Sequence, residues 1–372
     1  MLREYFLPVA CVILDMAALP RTEAQTLNCI ANAGVPPLVR SEGLAERVGD
    51  YIVFCMGSVP TPIVGTVQAT LNTNLTGQVW AEEATEAVLL IDEPTSLNPS
   101  NTFLGIRTGA NSVAWNGVPI AAAGPSINRV LRITNIRVNA NQLVRPGSVI
   151  LPPLVQMTVS LPRTPLLNPT QSVAFVFGGM TSSIIPTGPG MSTLRFGESF
   201  STSFQVRISS SQDPSMPGVI YYSESGFVNT AYFGAIVPPG LVGVASYGTR
   251  LMARFRGVTS DSPLLVSVTP LNGGANQTAT LTLTTEHGAG PFTPIPPTTF
   301  IGGIGYAAVP VIHGEGIAVW EITASSPFSL ERFDFGVSMA TGDIELISLG
   351  LASISDVRHS SPTAPVPRFV HR

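Results

Sequence analysis

The sequence contains no lysine, since all 19 of its basic residues are arginine. Lysine forms the Schiff bases of covalent carbonyl chemistry and binds phosphates in Walker-type nucleotide loops, so both kinds of site are excluded. Isopeptide crosslinks between lysine and asparagine are excluded for the same reason. The positive charges of the side chains therefore come from guanidinium groups, apart from any histidine that takes up a proton.

Charge of either sign is scarce. Charged residues make up 11% of the chain, whereas soluble domains usually carry about 25%. The formal net charge is −4 and the arginines form no cluster, which argues against a protein that binds nucleic acid by neutralising phosphates. Hydrophobic residues make up 44% of the chain, so it is not a charge-rich disordered protein either.

Histidine is rare as well, which limits metal and acid–base chemistry. The four histidines are His287, His313, His359 and His371. Glu286 with His287, and His313 with Glu315, lie beside glycines and would form a small metal site if folding brought the two pairs together. We favour the simpler interpretation that they are exposed turn residues, because no third histidine or cysteine stands near them to complete a zinc site. We predict no metal and no cofactor.

Motifs of nucleophilic catalysis are missing. The sequence has no Gly-x-Ser-x-Gly and no Ser-x-x-Lys motif. Ser223-Glu224-Ser225-Gly226 places serines beside an acid, but the nearest histidine in the sequence is His287. We predict no catalytic residues, although folding could bring two carboxylates together as in a glycosidase.

The first 24 residues have the pattern of an export signal. A short charged start precedes an apolar stretch, and Thr22 and Ala24 are small residues at the −3 and −1 positions of a cut after Ala24. Asp15 interrupts the apolar stretch, so a disordered or misassigned start is the alternative. The long uncharged stretches further on are broken by proline and glycine, which argues against a membrane-spanning helix. We predict a secreted or cell-surface protein.

Two cysteines, Cys29 and Cys55, remain after this cut. An even pair in a protein that leaves the cytoplasm predicts a disulfide. Two buried free thiols are the alternative. A two-cysteine metal site is less favoured, because every histidine lies far downstream in the sequence.

Short alternating runs, rich in β-branched residues and separated by Gly, Pro, Asn and Ser, predict an all-β protein. Residues 82–90 are the best helix candidate, yet the second half of this stretch fits a strand equally well. We predict two antiparallel β-sandwich (Ig-like) domains in tandem. The predicted parts are a signal peptide at 1–24, an N-terminal sandwich with the disulfide at 25–180, a linker at 181–189, a C-terminal sandwich at 190–357 with a long inserted loop at about 209–246, and a flexible tail at 358–372.

Aromatic residues in the inserted loop are candidates for ligand contact. Tyr221 and Tyr222, with Tyr232, would form a platform for stacking on a sugar if the fold brought them together. Trp320 lies in an alternating strand, where burial in the core is the simpler interpretation.

Several strings resemble a family of uncharacterised secreted β-rich proteins of soil bacteria. The strings are GVPPLVRSEG at 34–43, LNTNLT at 71–76, LLIDEP at 89–94, RITNIR at 132–137, YSESGF at 222–227, YGTRL at 247–251 and FDFGV at 333–337. The resemblance implies pairing of Cys29 with Cys55 and a two-block β architecture, but no activity and no site residues. The absence of lysine departs from the family pattern.

Together these observations predict an exported, non-enzymatic surface or extracellular-matrix protein that acts by adhesion or self-assembly. Its expected partners are further copies of itself or polymers of the cell surface, because a surface with so few charges resists association poorly. A carbohydrate-binding β-sandwich module is the alternative, and a secreted hydrolase is the second alternative.

Overall fold

The computed structural model describes residues 27–92, 101–121, 124–144, 151–207, 223–227, 241–259, 263–284, 288, 290–340 and 342–350. Almost all regular structure in these ranges is β-strand, which confirms the all-β prediction. Within these ranges, the short 3-10 helices are Ala81–Glu83 and Ala140–Leu143. The described ranges hold no helix with the length and hydrophobicity of a membrane span.

The first half of the chain forms one eleven-stranded sheet and a small two-stranded one. Its strands are β1 (Leu27–Ala33), β2 (Leu38–Arg40), β3 (Glu46–Arg47), β4 (Tyr51–Val59), β5 (Ile63–Leu71), β6 (Ala84–Ile91), β7 (Thr102–Gly109), β8 (Ser112–Ala121), β9 (Gly124–Thr134), β10 (Arg137–Val138), β11 (Leu154–Ser160), β12 (Leu166–Leu167) and β13 (Thr170–Phe177). The order in the large sheet is β12-β1-β4-β9-β6-β7-β8-β5-β11-β13-β2. Its pairings are antiparallel except β1 with β12 and β2 with β13.

The second half forms two sheets. Its strands are β14 (Met180–Gly188), β15 (Met191–Glu198), β16 (Arg250–Arg256), β17 (Leu265–Ser267), β18 (Thr278–Thr282), β19 (Thr299–Ile301), β20 (Ile304–Ala308), β21 (Val311–Ile312), β22 (Glu315–Ala324), β23 (Arg332–Ser338) and β24 (Asp343–Leu349). One sheet has the order β14-β15-β23-β17-β20-β19 and the other the order β18-β22-β16-β24, with β21 also pairing β22.

Each half has its own hydrophobic core. In the first half, alternate side chains of the large sheet point inwards and form a single buried cluster, which includes Trp115. In the second half, the core lies between the two sheets, where Trp320 stacks on Phe335 with ring centroids 4.3 Å apart. The Trp320 indole N–H donates to the Ser267 carbonyl at 2.8 Å, so this tryptophan is a satisfied core residue, as expected.

The structure corrects the linker predicted at 181–189. Residues 181–188 lie in β14, which pairs with β15 from Met180 opposite Glu198 to Gly188 opposite Met191. The glycines and proline at 188–190 form the turn between the two strands, with Gly190 at φ +66°. The glycines and proline therefore mark a hairpin turn, and the uncharged residues before them form a strand and not a linker between domains.

Candidate functional site

Alternation along β1 and β4 gives the large sheet a distinct outer surface. Leu27, Cys29 and Ala31 point into the core, whereas the residues between them are exposed. β4 alternates in the same way, and the two strands pair antiparallel with Ile30 opposite Phe54. Because successive side chains of a strand point to opposite faces, the even-numbered residues of both strands share the outer surface.

Four apolar residues form one row across this surface. Ile30 lies between Leu167 of β12 and Phe54 of β4, and Phe54 lies opposite Val130 of β9. Met56 stands two residues along β4 on the same side. We call these five residues the apolar face. Leu167 is 59% exposed, Met56 57%, and Ile30 and Phe54 41% each.

The apolar face has a polar rim with little charge. Asn28 and Asn128 flank Met56 on the neighbouring strands. On the other side of the row, Arg132 donates to the Asp50 carboxylate at 2.9 Å, so its charge is already paired. Exposed apolar residues that stand singly are ordinary, but a contiguous patch with a polar rim is typical of an interaction surface.

The predicted disulfide lies directly behind this face. Cys29 and Cys55 are bonded, fully buried and directly opposite each other in β1 and β4. They are the chain neighbours of Ile30, Phe54 and Met56. A register slip of one residue would turn these side chains into the core, and the covalent bond prevents it.

Of the other predicted site residues, the structure describes His313 and Glu315 and not the rest. Tyr221, Tyr222 and Tyr232 lie outside the described residues, and so do Glu286 and His287. His313 and Glu315 belong to the β21–β22 hairpin and line a cleft. In the described ranges, no group of three or more His, Cys, Asp or Glu residues is placed to hold a metal ion.

The serine–acid string of the inserted loop contributes to a buried network. The Arg40 guanidinium donates to Glu224 at 2.8 Å and to the Thr249 hydroxyl at 2.8 Å. It also donates to Glu46 at 2.8 Å. Ser225 donates its hydroxyl to the Arg207 carbonyl at 2.6 Å. Residues 223–227 are thus a buried segment that joins the two halves.

Two carboxylates beside one guanidinium set the electrostatics of this network. Burial on its own lowers the pKa of Arg40, but the charges and hydrogen bonds of Glu224 and Glu46 outweigh it and raise the pKa above its ordinary value. Burial raises the pKa of Glu46 despite the opposing charge of Arg40, and the charge of Glu224 adds to the rise. All three side chains are buried, which identifies a structural junction.

A second pair of buried acids lies in the other half. The Glu198 carboxylate accepts hydrogen bonds from the N–H groups of Phe204 at 2.8 Å and Glu331 at 2.9 Å. Burial raises the pKa of Glu198 to about 7, with a contribution from the charge of Glu331. Burial also raises the pKa of Glu331 to about 7. Sequence reasoning missed this pair, because 133 residues separate its members.

Comparisons with known proteins assign no family to the chain. No family model matches it, and no curated protein matches it either. One similar solved structure is described as "The Enterococcus faecalis MSCRAMM ACE binds its ligands by the collagen Hug Model". It is 7% identical, the alignment covers 87% of this chain and 95% of that chain, and the TM-score is 0.22. At that score the likeness carries no argument about fold or function.

Proposed function

We propose that this chain is an exported, non-enzymatic surface or extracellular-matrix protein that associates with further copies of itself through the apolar face. The observation that carries the proposal is the row Leu167, Ile30, Phe54 and Val130, which lie side by side on four strands with the first three exposed and Val130 partly buried. Burial of such a row on association is favourable in proportion to the apolar area removed from water.

A second copy is the partner that fits this face best. Two sheets pack face to face about 10 Å apart through apolar side chains. A symmetric dimer brings the same patch together from both copies, and this patch carries no charged residue that would repel itself. The asparagines of its rim offer both donors and acceptors, so they can pair with the same residues of another copy.

Export and tandem domains belong to the same proposal. The buried disulfide supports a location outside the cytoplasm, where such bonds persist, and a signal peptide at 1–24 would direct the chain there. The separate cores of the two halves support two Ig-like β-sandwich domains in tandem. The role of Ser223 to Gly226 in a buried network favours a binding protein over a hydrolase.

Light scattering of the exported, purified chain over a range of concentrations tests the proposal. We expect reversible association, and we expect Phe54→Gln to weaken it at least tenfold. Phe300→Gln is the matched control, because Phe300 is 69% exposed on β19 of the other half, and it should associate as the native chain does. The N-terminal residue of the same sample should be Gln25.

A monodisperse native monomer at high concentration would contradict self-association. Equal weakening by Phe54→Gln and Phe300→Gln would show that association does not use the apolar face. An uncleaved N-terminus, or a chain retained inside the cell, would contradict export.

A further inference from the structure

A cleft of about 490 Å³ opens at one edge of the second half. This is within the usual size of a ligand site, about 300–1,000 Å³. Its walls are mostly apolar. The lining residues on which the argument depends are Ile295, Ala308, Val309, Pro310, Glu315 and Ile317.

The floor of this cleft is a gap in a β-ladder. One side of β22 pairs with β16 continuously from Gly316 to Glu321. Its other side pairs with β18 from Val319 onwards and with β21 at Glu315 and Gly316. Among the described residues, no strand pairs with Ile317 and Ala318 on that side.

Both neighbouring strands stop at the gap for visible reasons. Continuing the β21 register would place Pro310 opposite Ile317, and proline has no N–H to donate to a ladder. On the other side, β18 turns away after Thr282, where the Leu283 N–H donates to the Thr293 carbonyl at 2.9 Å.

The peptide groups of Ile317 point into the gap. In an antiparallel strand, successive residues direct their N–H and C=O groups to opposite sides. The Ile322 N–H donates at 2.8 Å to the carbonyl of Thr249, on the β16 side. Even-numbered residues of β22 therefore face β16, and Ile317 faces the cleft with a donor and an acceptor that no described strand uses.

The charge at the mouth of the cleft has one sign. Glu315 is the only carboxylate among the lining residues, and it is exposed. Its nearest ion-pair contact is with Arg256, at 3.9 Å from the guanidinium nitrogen. Glu315 stands two residues from Ile317, so the two side chains share one face of the strand.

We propose that this cleft binds a short extended peptide by strand addition to β22. The peptide residue opposite Ile317 exchanges two hydrogen bonds with it, as in antiparallel sheets. The side chain of that residue lies on the same face as Glu315, which selects a basic residue. Its two neighbours point to the opposite face, where the apolar side chains of Ile295 and Val309 receive them. The ligand class is an apolar–basic–apolar tripeptide segment.

Calorimetric titration with the blocked tripeptide acetyl-Leu-Arg-Leu-amide tests this proposal on the native, full chain. We expect saturable binding. Methylation of the arginine backbone nitrogen removes the donor that would reach the Ile317 carbonyl, so the methylated peptide should bind at least tenfold more weakly. Replacing the arginine with glutamate should weaken binding by a similar factor.

Two protein variants locate the binding. Ala308→Trp fills the cleft from an exposed wall position and should reduce peptide affinity at least tenfold. Ala275→Trp is the matched control, because Ala275 is an exposed alanine in a turn of the same half outside the cleft lining, and it should bind normally. The apolar face lies on the other half, so Phe54→Gln should also leave peptide binding unchanged.

Three outcomes would overturn the proposal. One is the absence of saturable binding of acetyl-Leu-Arg-Leu-amide to the native chain. Another is equal binding of the peptide and its N-methylated form, which would indicate a site for small apolar molecules that does not extend the sheet. The third is equal binding to Ala308→Trp and Ala275→Trp. Because the peptide comparison uses the native chain, it holds even if a variant folds poorly.

Discussion

Replacement of Arg40 by methionine should strongly destabilise the folded chain. Arg40 comes from β2, while Glu224, Thr249 and Ser203, which accept its hydrogen bonds at 2.8–3.0 Å, come from the second half. Glu46 accepts a further hydrogen bond at 2.8 Å. Methionine keeps an unbranched apolar stem like that of arginine but provides no charge and no donor, so two buried carboxylates lose their counterion.

The expected loss follows from the burial of this network. Removing one partner of a buried ion pair typically costs about 3–5 kcal/mol, because the remaining charge stays buried and unpaired. For a chain of this size, each kcal/mol lowers the melting temperature by about 2 °C, so Arg40→Met should melt about 6–10 °C lower. Arg107→Met is the matched control, because its partner Glu83 is 53% exposed, and exposed pairs contribute about 1 kcal/mol or less.

The loss should also depend on pH. Burial raises the pKa of the folded Glu46 carboxyl above the unfolded value of 4.5, and removing Arg40 removes the charge that opposes this rise, so ionisation of Glu46 opposes folding. The variant should therefore lose least stability near pH 4.5 and most near pH 8. Calorimetric melting at both pH values, with Glu224→Gln and the double variant, measures the loss and its coupling. A loss below about 1 kcal/mol, the same loss at both pH values, or additive single variants would refute the reasoning.

Two further changes test the pair of acids and the disulfide. The folded pKa of Glu331, about 7, lies above the ordinary value of 4.5, so the protonated carboxyl favours the folded state at low pH and this contribution to stability is lost as pH rises from 4.5 to 7. Glutamine does not ionise. Glu331→Gln should therefore stabilise the chain by about 1–2 kcal/mol more at pH 8 than at pH 4.5. Urea unfolding measures this, and a pH-independent difference would contradict it. Cys29→Ala with Cys55→Ala should lower the free energy of unfolding by about 3 kcal/mol, from the entropy of closing a loop between cysteines 26 residues apart. A loss below about 1 kcal/mol in the same assay would show that the disulfide contributes little.

The predictions that held depend on local pattern. Alternation of apolar and polar residues, bounded by turn residues, indicates a strand wherever one face is buried and the other is exposed to solvent, as in β1. The cysteine pair was identified by count and compartment, since Cys29 and Cys55 have few alternative partners. The linker at 181–189 failed because glycine and proline mark turns and linkers alike, and composition does not separate a hairpin from a connection.

The ambiguity of residues 82–90 has a physical cause. β6 (Ala84–Ile91) is buried on both faces, so it shows neither the alternation of a half-exposed strand nor the period of a helix. One face points into the core of the first half, through Leu89 and Ile91. Phe227 and Val242 from distant parts of the chain cover the other face. Because these contacts come from residues far away in the sequence, the secondary structure of 82–90 cannot be predicted from the neighbouring residues alone.

The contacts of the buried arginines explain why lysine would not serve at these interior positions. Arg137 donates to Glu86 at 2.9 Å and to the Glu224 carbonyl at 2.8 Å. Arg250 donates to Glu321 at 3.0 Å and to the backbone carbonyls of Gly288 at 2.7 Å and Gly290 at 2.8 Å.

Each of these guanidinium groups, like that of Arg40, donates hydrogen bonds both to a carboxylate and to a backbone carbonyl of a loop. An ammonium group is a compact, strongly hydrated point charge and would not span both at fixed angles. The backbone carbonyls held in this way by Arg137 and Arg250, those of Glu224, Gly288 and Gly290, lie outside the regular strands, so guanidinium hydrogen bonds fix the chain at these points in addition to core packing. A charged residue in isolation belongs in water, so the sequence on its own does not indicate that these arginines are buried. The carboxylates that reverse this preference lie far away in the sequence, and only the fold brings them within reach.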